Sequence, residues 1–188
     1  LYAYCGNNPV MYYDPSGYKN QSNQSTSNCR ISEVNNPNLT NVKHVNESGS
    51  PSITVSQDRL QHSVLGEFNS NNRLINGGHG QANIDYLNQH NIPYNIVHVY
   101  DNGVRVGNIP SHKNKLKRSG TGQAWFPESW TEADIKRAGE YVANLPENAN
   151  VSYGEWIFGE YNGVRVGVIK NEEFNGIGTI VPDGSRQP

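Results

Sequence analysis

Two histidines in glycine-rich surroundings are the first residues of this chain that could do chemistry. His62 lies in Gln61-His62-Ser63-Val64-Leu65-Gly66-Glu67-Phe68, and His79 lies in Gly77-Gly78-His79-Gly80. Imidazole titrates near neutrality, so one ring can take a proton while a second gives one. On RNA that pair suffices without a metal: a base removes the 2′-hydroxyl proton, an acid protonates the leaving 5′-oxygen, and a cation steadies the phosphorane. Each proton transfer is worth roughly 10²–10⁴-fold. The glycines let backbone approach a ligand closely. Spacing alone still leaves a structural role open for both.

The other four histidines have plainer readings. His44 falls in a polar stretch and reads as solvated. His90 ends a predicted helix before Asn91, where capping suits it. His98 sits on a predicted strand and reads as half buried. His112 opens the basic run Ser111-His112-Lys113-Asn114-Lys115-Leu116-Lys117-Arg118-Ser119-Gly120-Thr121. This run could supply the cation or contact phosphate, or it is simply a solvated loop. His112 could also be a third catalytic histidine, or with Asn114 part of an HNH-type metal nuclease whose further ligands are not found. Trp125, Phe126, Trp130 and Trp156 could stack on nucleobases, although core packing is the commoner use.

Two helix-plus-hairpin units must position these groups. A helix over Gln81–Asn91, with Ile84 and Leu87 on its apolar face, stops before Pro93. A hairpin follows, Ile96–Tyr100 and Val104–Ile109, turning at Asp101-Asn102-Gly103. The second unit opens at Thr131, an N-cap with Asp134 three residues on. Ile135, Ala138, Val142 and Leu145 form its helix face, and Pro146 ends it. Trp156–Phe158 and Val164–Ile169 then form a hairpin turning at Asn162-Gly163. A last strand, Gly176–Val181, runs into Pro182-Asp183-Gly184. Tyr100–Gly107 echoes Tyr161–Gly167, through either duplication or shared turn chemistry. The expected class is α+β, with two small antiparallel sheets and a cleft between them.

Composition sets the outer bounds. The 188 residues are 34% hydrophobic and only 17% charged, with net charge -2, so polarity comes from Asn, Ser, Gln, Thr and Gly. Mean hydropathy is -0.74. A coiled coil is excluded for want of charge-rich heptads, and no apolar run reaches membrane-span length. The overall charge attracts no nucleic acid, so a basic site must be local. Cys5 and Cys29 are too few and too peripheral for a disulfide scaffold or a zinc ribbon. Residues 19–55 contain no Phe, Tyr or Trp and read as a polar flexible linker. A folded domain is expected over 56–188.

Residues 1–18, LYAYCGNNPVMYYDPSGY, read as a short strand closed by Pro/Gly turns. They also resemble the end of the RHS/YD-repeat core, including its closing Asp14-Pro15-Ser16-Gly17. That resemblance implies a C-terminal toxin released from a larger carrier polypeptide, with no signal peptide of its own at this point. The stretch QHSVLGEFNSNNRLINGGHG is similar to the two-histidine segment of EndoU endoribonucleases. Gly103-Val104, Gln123–Trp130 and Gly178–Pro182 resemble that family's later motifs, in order, over about residues 60–182.

The EndoU resemblance implies His79 as general base, His62 as general acid, Lys117 (or Lys115) on the phosphorane, and Thr179 positioning the nucleotide. Lys113, Lys115, Arg118, Ser119 and Thr121 are expected at the substrate, with no metal and no cofactor. Two departures stand out: Gln123-Ala124 replaces a Ser-Thr pair, and Val181 replaces an aromatic that packs on the sugar or base. Thr121 or Ser119 could supply the missing hydroxyl. The implied activity is metal-independent cleavage of RNA, as a rule tRNA, leaving 2′,3′-cyclic phosphate and 5′-hydroxyl ends. The implied setting is a protein secreted or wall-associated in its producer, acting in the target-cell cytoplasm, with a cognate immunity protein. A non-enzymatic binding tail of an adhesin is the rival of a different class, but it leaves the histidine pair unexplained.

Overall fold

In the second hairpin, alternating apolar residues and a two-residue turn build the larger sheet of the protein. The structure, a computed structural model, describes residues 52–174 and 176–188. The expected repeat-core end at 1–18 and the polar segment through residue 51 lie outside the described residues. The elements run α1 (Gln57–Val64), β1 (Glu67–Phe68), β2 (Leu74–Asn76), α2 (Gln81–Gln89), β3 (Asn95–Val99), β4 (Arg105–Asn108), β5 (Gln123–Trp125), α3 (Glu132–Ala143), β6 (Trp156–Tyr161), β7 (Val164–Asn171) and β8 (Gly176–Pro182). Strands pair antiparallel as β1-β2, β3-β4-β5 and β6-β7-β8. This is the α+β arrangement expected from the two helix-plus-hairpin units.

Two hydrophobic cores form, and Val104 and Phe126 of the first unit pack into that of the second. Ile135, Ala138 and Val142 of α3 join Leu60 and Val64 of α1 against Val166, Val168 and Ile180 of the larger sheet. Leu74, Ile84, Leu87, Ile109 and Trp125 form the second core. The capping box at Thr131 is complete: its hydroxyl accepts from the Asp134 N–H, and the Asp134 carboxylate accepts from the Thr131 N–H. Helix α3 stops at Ala143 with Asn144 as C-cap, so Leu145 falls outside it, two residues short of the expected end.

The shared Asn-Gly dipeptide yields two different turns. Asn162 and Gly163 both adopt positive φ, 49° and 73°, the two-residue turn that matches strand twist. In the first hairpin only Gly103 is left-handed, and Tyr100 pairs with Val104 around a three-residue loop. The extra Asp101 makes that difference. Asn102 then donates from Nδ2 to the Gly163 carbonyl at 2.8 Å, joining the tips of the two hairpins.

Several local expectations need correcting. His98 is exposed, not half buried, because every residue of the edge strand β3 faces solvent. His90 does cap α2, its Nδ1 bonding the Tyr86 carbonyl at 2.9 Å. Trp125 and Phe126 are fully buried, which removes them as base-stacking surfaces, and Trp130 stacks on Phe126 at 5.2 Å. Packing also starts upstream of residue 56: Val55 is buried, and the Ile53 N–H donates to Asn144 Oδ1 at 2.8 Å. Helix α1, strands β1 and β2, and strand β5 are elements that the patterning did not indicate.

Candidate active site

A helix of eight residues leaves its last carbonyls without partners, and here a glycine loop takes them up. Gly78, His79 and Gly80 donate their backbone N–H groups to the carbonyls of His62, Ser63 and Val64 at 2.7–3.0 Å. The loop that carries one histidine therefore caps the helix that carries the other. Gly77 permits this approach. Its φ is +69°, and a Cβ there would sit 1.9 Å from the His62 carbonyl oxygen. Gln123, fully buried, donates from Nε2 to the Gly78 carbonyl at 2.6 Å and holds the loop from behind. The glutamine in place of a hydroxyl residue is thus a brace, and it lies outside the cleft.

Both imidazoles are oriented by acceptors on Nδ1. His79 Nδ1 lies 2.7 Å from the Ala124 carbonyl oxygen, which can only accept, so Nδ1 carries the hydrogen and Nε2 keeps a free lone pair. His62 Nδ1 lies 2.8 Å from Glu67 Oε1, and its Nε2 is likewise the free nitrogen. The hydrogen bond from His62 draws the Glu67 carboxyl below its ordinary value, so Glu67 is an anion beside that ring. Arg59 completes the group, 3.3 Å from the same oxygen.

Burial separates the roles available to the two rings. His79 is only 5% exposed, and this desolvation, reinforced by the Lys117 charge, pushes its pKa well below 6.5. It is a neutral imidazole at neutral pH. Lys117 is pulled down to about 8 by burial alone. His62 instead has the Glu67 carboxylate on its Nδ1.

The basic run folds into a short 3-10 turn, Lys115–Lys117, capped by Asn114. Arginines hold it in place: Arg73 donates to the Ser111 and His112 carbonyls, and Arg118 to those of His112 and Lys113. The turn brings Lys117 to the histidines and leaves Lys113 and Lys115 pointing to solvent. A cleft of about 650 Å³ between the two units is lined by His62, His79, Lys117, Thr121 and Thr179. Lys113, Lys115, Arg118 and Ser119 do not line it. His112 is buried at 1% exposure, held near pKa 4 by burial and by Lys117, with Nδ1 accepting from the Asn114 N–H. Among the described residues no group of three His, Cys, Asp or Glu side chains could hold a metal ion.

Strand β8 is tied to α1 at this point. The Ser63 hydroxyl, beside His62, accepts from the Ile180 N–H at 3.0 Å and thereby fixes Thr179 across the cleft. Glu67 is the residue that histidine spacing did not reveal, because it lies five positions on and past Gly66. The acidic position in the EndoU-like segment was the available signal. Glu67→Gln keeps an acceptor but removes the negative charge beside the His62 ring. Since Glu67 is half exposed, kcat should fall by about five- to tenfold with KM little changed, in a steady-state comparison with the parent.

No curated protein and no solved structure matches the chain. A family model of bacterial EndoU nucleases matches residues 56–184, and the chain belongs to that family.

Proposed function

We propose that the protein is a metal-independent endoribonuclease in which His79 is the general base and His62 the general acid. One observation carries this reading: both Nδ1 atoms are engaged by acceptors, which leaves Nε2 free on two rings that line one cleft with a half-buried lysine. His79, neutral at pH 7, takes the 2′-hydroxyl proton, and the 2′-oxygen attacks phosphorus. Lys117 neutralises charge on the phosphorane, His62 protonates the departing 5′-oxygen, and Thr179 positions the nucleotide. The ends left are a 2′,3′-cyclic phosphate and a 5′-hydroxyl.

The biological setting that fits is that of a toxin released from an RHS/YD-repeat carrier. It would be secreted or wall-bound in the producer and would act on tRNA or other RNA in the cytoplasm of a target cell. An immunity protein covering the cleft would carry an acidic face toward Lys113 and Lys115, since opposite potentials speed docking. The exposure of Lys113 and Lys115 supports that orientation.

The deciding experiment incubates the chain with total bacterial RNA, with and without EDTA, and maps the new ends. Discrete cuts ending in cyclic phosphate and unaffected by EDTA are expected. Cleavage abolished by EDTA would transfer the chemistry to a metal. Intact RNA after incubation with a folded chain would favour the binding-tail alternative.

A further inference from the structure

We infer that Trp156, backed by Phe158, is the stacking platform for a nucleobase of bound RNA, an inference that rests on the ribonuclease reading above. Trp156 lines the cleft that holds His62, His79 and Lys117, yet 47% of it is exposed. The indole is held in a built stack. Phe158 lies parallel to it at 6.0 Å between centroids and 23° between planes. Arg165 covers Phe158 at 4.7 Å, and its Nε donates to the Asp183 carboxylate at 2.9 Å.

A missing side chain makes room for these rings. Gly167 pairs with Phe158 across β6 and β7. A Cβ there would lie 2.9 Å from Phe158 Cε1 and 3.3 Å from Trp156 Cε3, so any larger residue would dislodge the stack. Strand register then relates the platform to the chemistry. Trp156 pairs with Ile169, and Ile169 with Thr179, which places the indole and the nucleotide-positioning threonine in one row of the cleft face. The adjacent row runs Phe158, Gly167, Val181. Val181 offers no ring on β8, so the aromatic surface that the sheet itself presents to the cleft comes from β6.

An exposed aromatic face accepts any base, because every base has a π-face, and the contact is worth about 5- to 150-fold in affinity. Steady-state cleavage of an unpaired RNA oligonucleotide by the full chain, beside Trp156→Ala and Trp156→Phe, tests the assignment. Trp156→Ala should raise KM by about that factor, the loss falling on KM rather than kcat, and Trp156→Phe should recover most of it. A melting curve run alongside identifies any loss of fold. A KM for Trp156→Ala no higher than the parent's overturns the platform and leaves the ribonuclease reading standing.

A second readout works without catalysis. A 2′-deoxy oligonucleotide of the same sequence lacks the nucleophile and should quench the fluorescence of the parent, with the quench lost in Trp156→Phe. If no RNA is cut but this quench depends on Trp156, the nuclease chemistry fails and the platform stands. If neither quench nor KM depends on Trp156, the platform is overturned, whether or not Trp156→Ala folds.

Discussion

His79→Ala should lower kcat/KM by about 10²–10⁴-fold and leave the fold in place. The expected size follows from removing the proposed general base, whose Nε2 is free because Ala124 takes the hydrogen on Nδ1. The fold should survive because, beside the Nδ1 bond to Ala124, two backbone bonds hold this residue: its N–H bonds to the Ser63 carbonyl and its own carbonyl accepts from the Phe126 N–H. Both bonds are indifferent to the side chain. Far-UV circular dichroism and a melting curve establish that the variant is folded before its rate is read.

The same residue should set the acidic limb of the pH profile. A general base works in its neutral form, which exists above its pKa. Burial and the Lys117 charge hold the His79 pKa well below 6.5, so kcat/KM should hold up as pH falls past 6.5 and drop only at a lower pH. An acidic limb centred at 6.5 or above would mean that His79 is not the base. Full activity in His79→Ala would say the same.

The histidine pair was legible from sequence because its neighbours carry a geometric demand. A loop that must lie against helix carbonyls needs glycine where a Cβ would collide, and GGHG is that demand written out. The hairpins and α3 were legible for similar local reasons: turn dipeptides, a capping box, and apolar spacing. Helix α1 was not, since QDRLQHSV has few apolar residues and its buried face is partly Ser63 and His62, which pay off only against β8 and the glycine loop. Strands of two or three residues are too short to show alternation. Local patterning could not separate Lys117 from Lys113 and Lys115; only the family resemblance put Lys117 first. Their difference depends on Arg73, just ahead of β2 and about 40 residues away, gripping the loop and on Lys113 N–H bonding to the Leu74 carbonyl. Trp156 looked like three other candidate aromatics until the register put it on the cleft face.

Lys117→Met should abolish most activity and at the same time raise the melting temperature. The two effects have one cause. Burial that makes the ammonium an effective partner for a developing phosphorane also destabilises it, pulling its pKa from 10.5 to about 8. For a base with a depressed native pKa, the unfolded chain binds more protons between about 8 and 10.5, so stability rises with pH through that window. Below pH 8 the cost is present in full, on the order of 2 kcal/mol once the open side of the cleft is allowed for. Methionine fills similar volume without the charge and removes that cost. The gain in melting temperature at pH 7 should therefore shrink toward zero as pH approaches 10.5. Activity should fall by about 10²–10³-fold, the range for losing one electrostatic stabiliser of a transition state. Lys117→Arg isolates the charge: arginine stays protonated, so the ratio of parent to variant kcat/KM should be flat below pH 8 and decline about tenfold per pH unit above it. Because the two histidines are common to both proteins, their titration largely cancels in that ratio. A ratio that stays flat through pH 8 would mean that the charge on Lys117 is not what the reaction uses, and a Lys117→Met variant less stable than the parent would mean that the lysine is not paying for its place in the cleft.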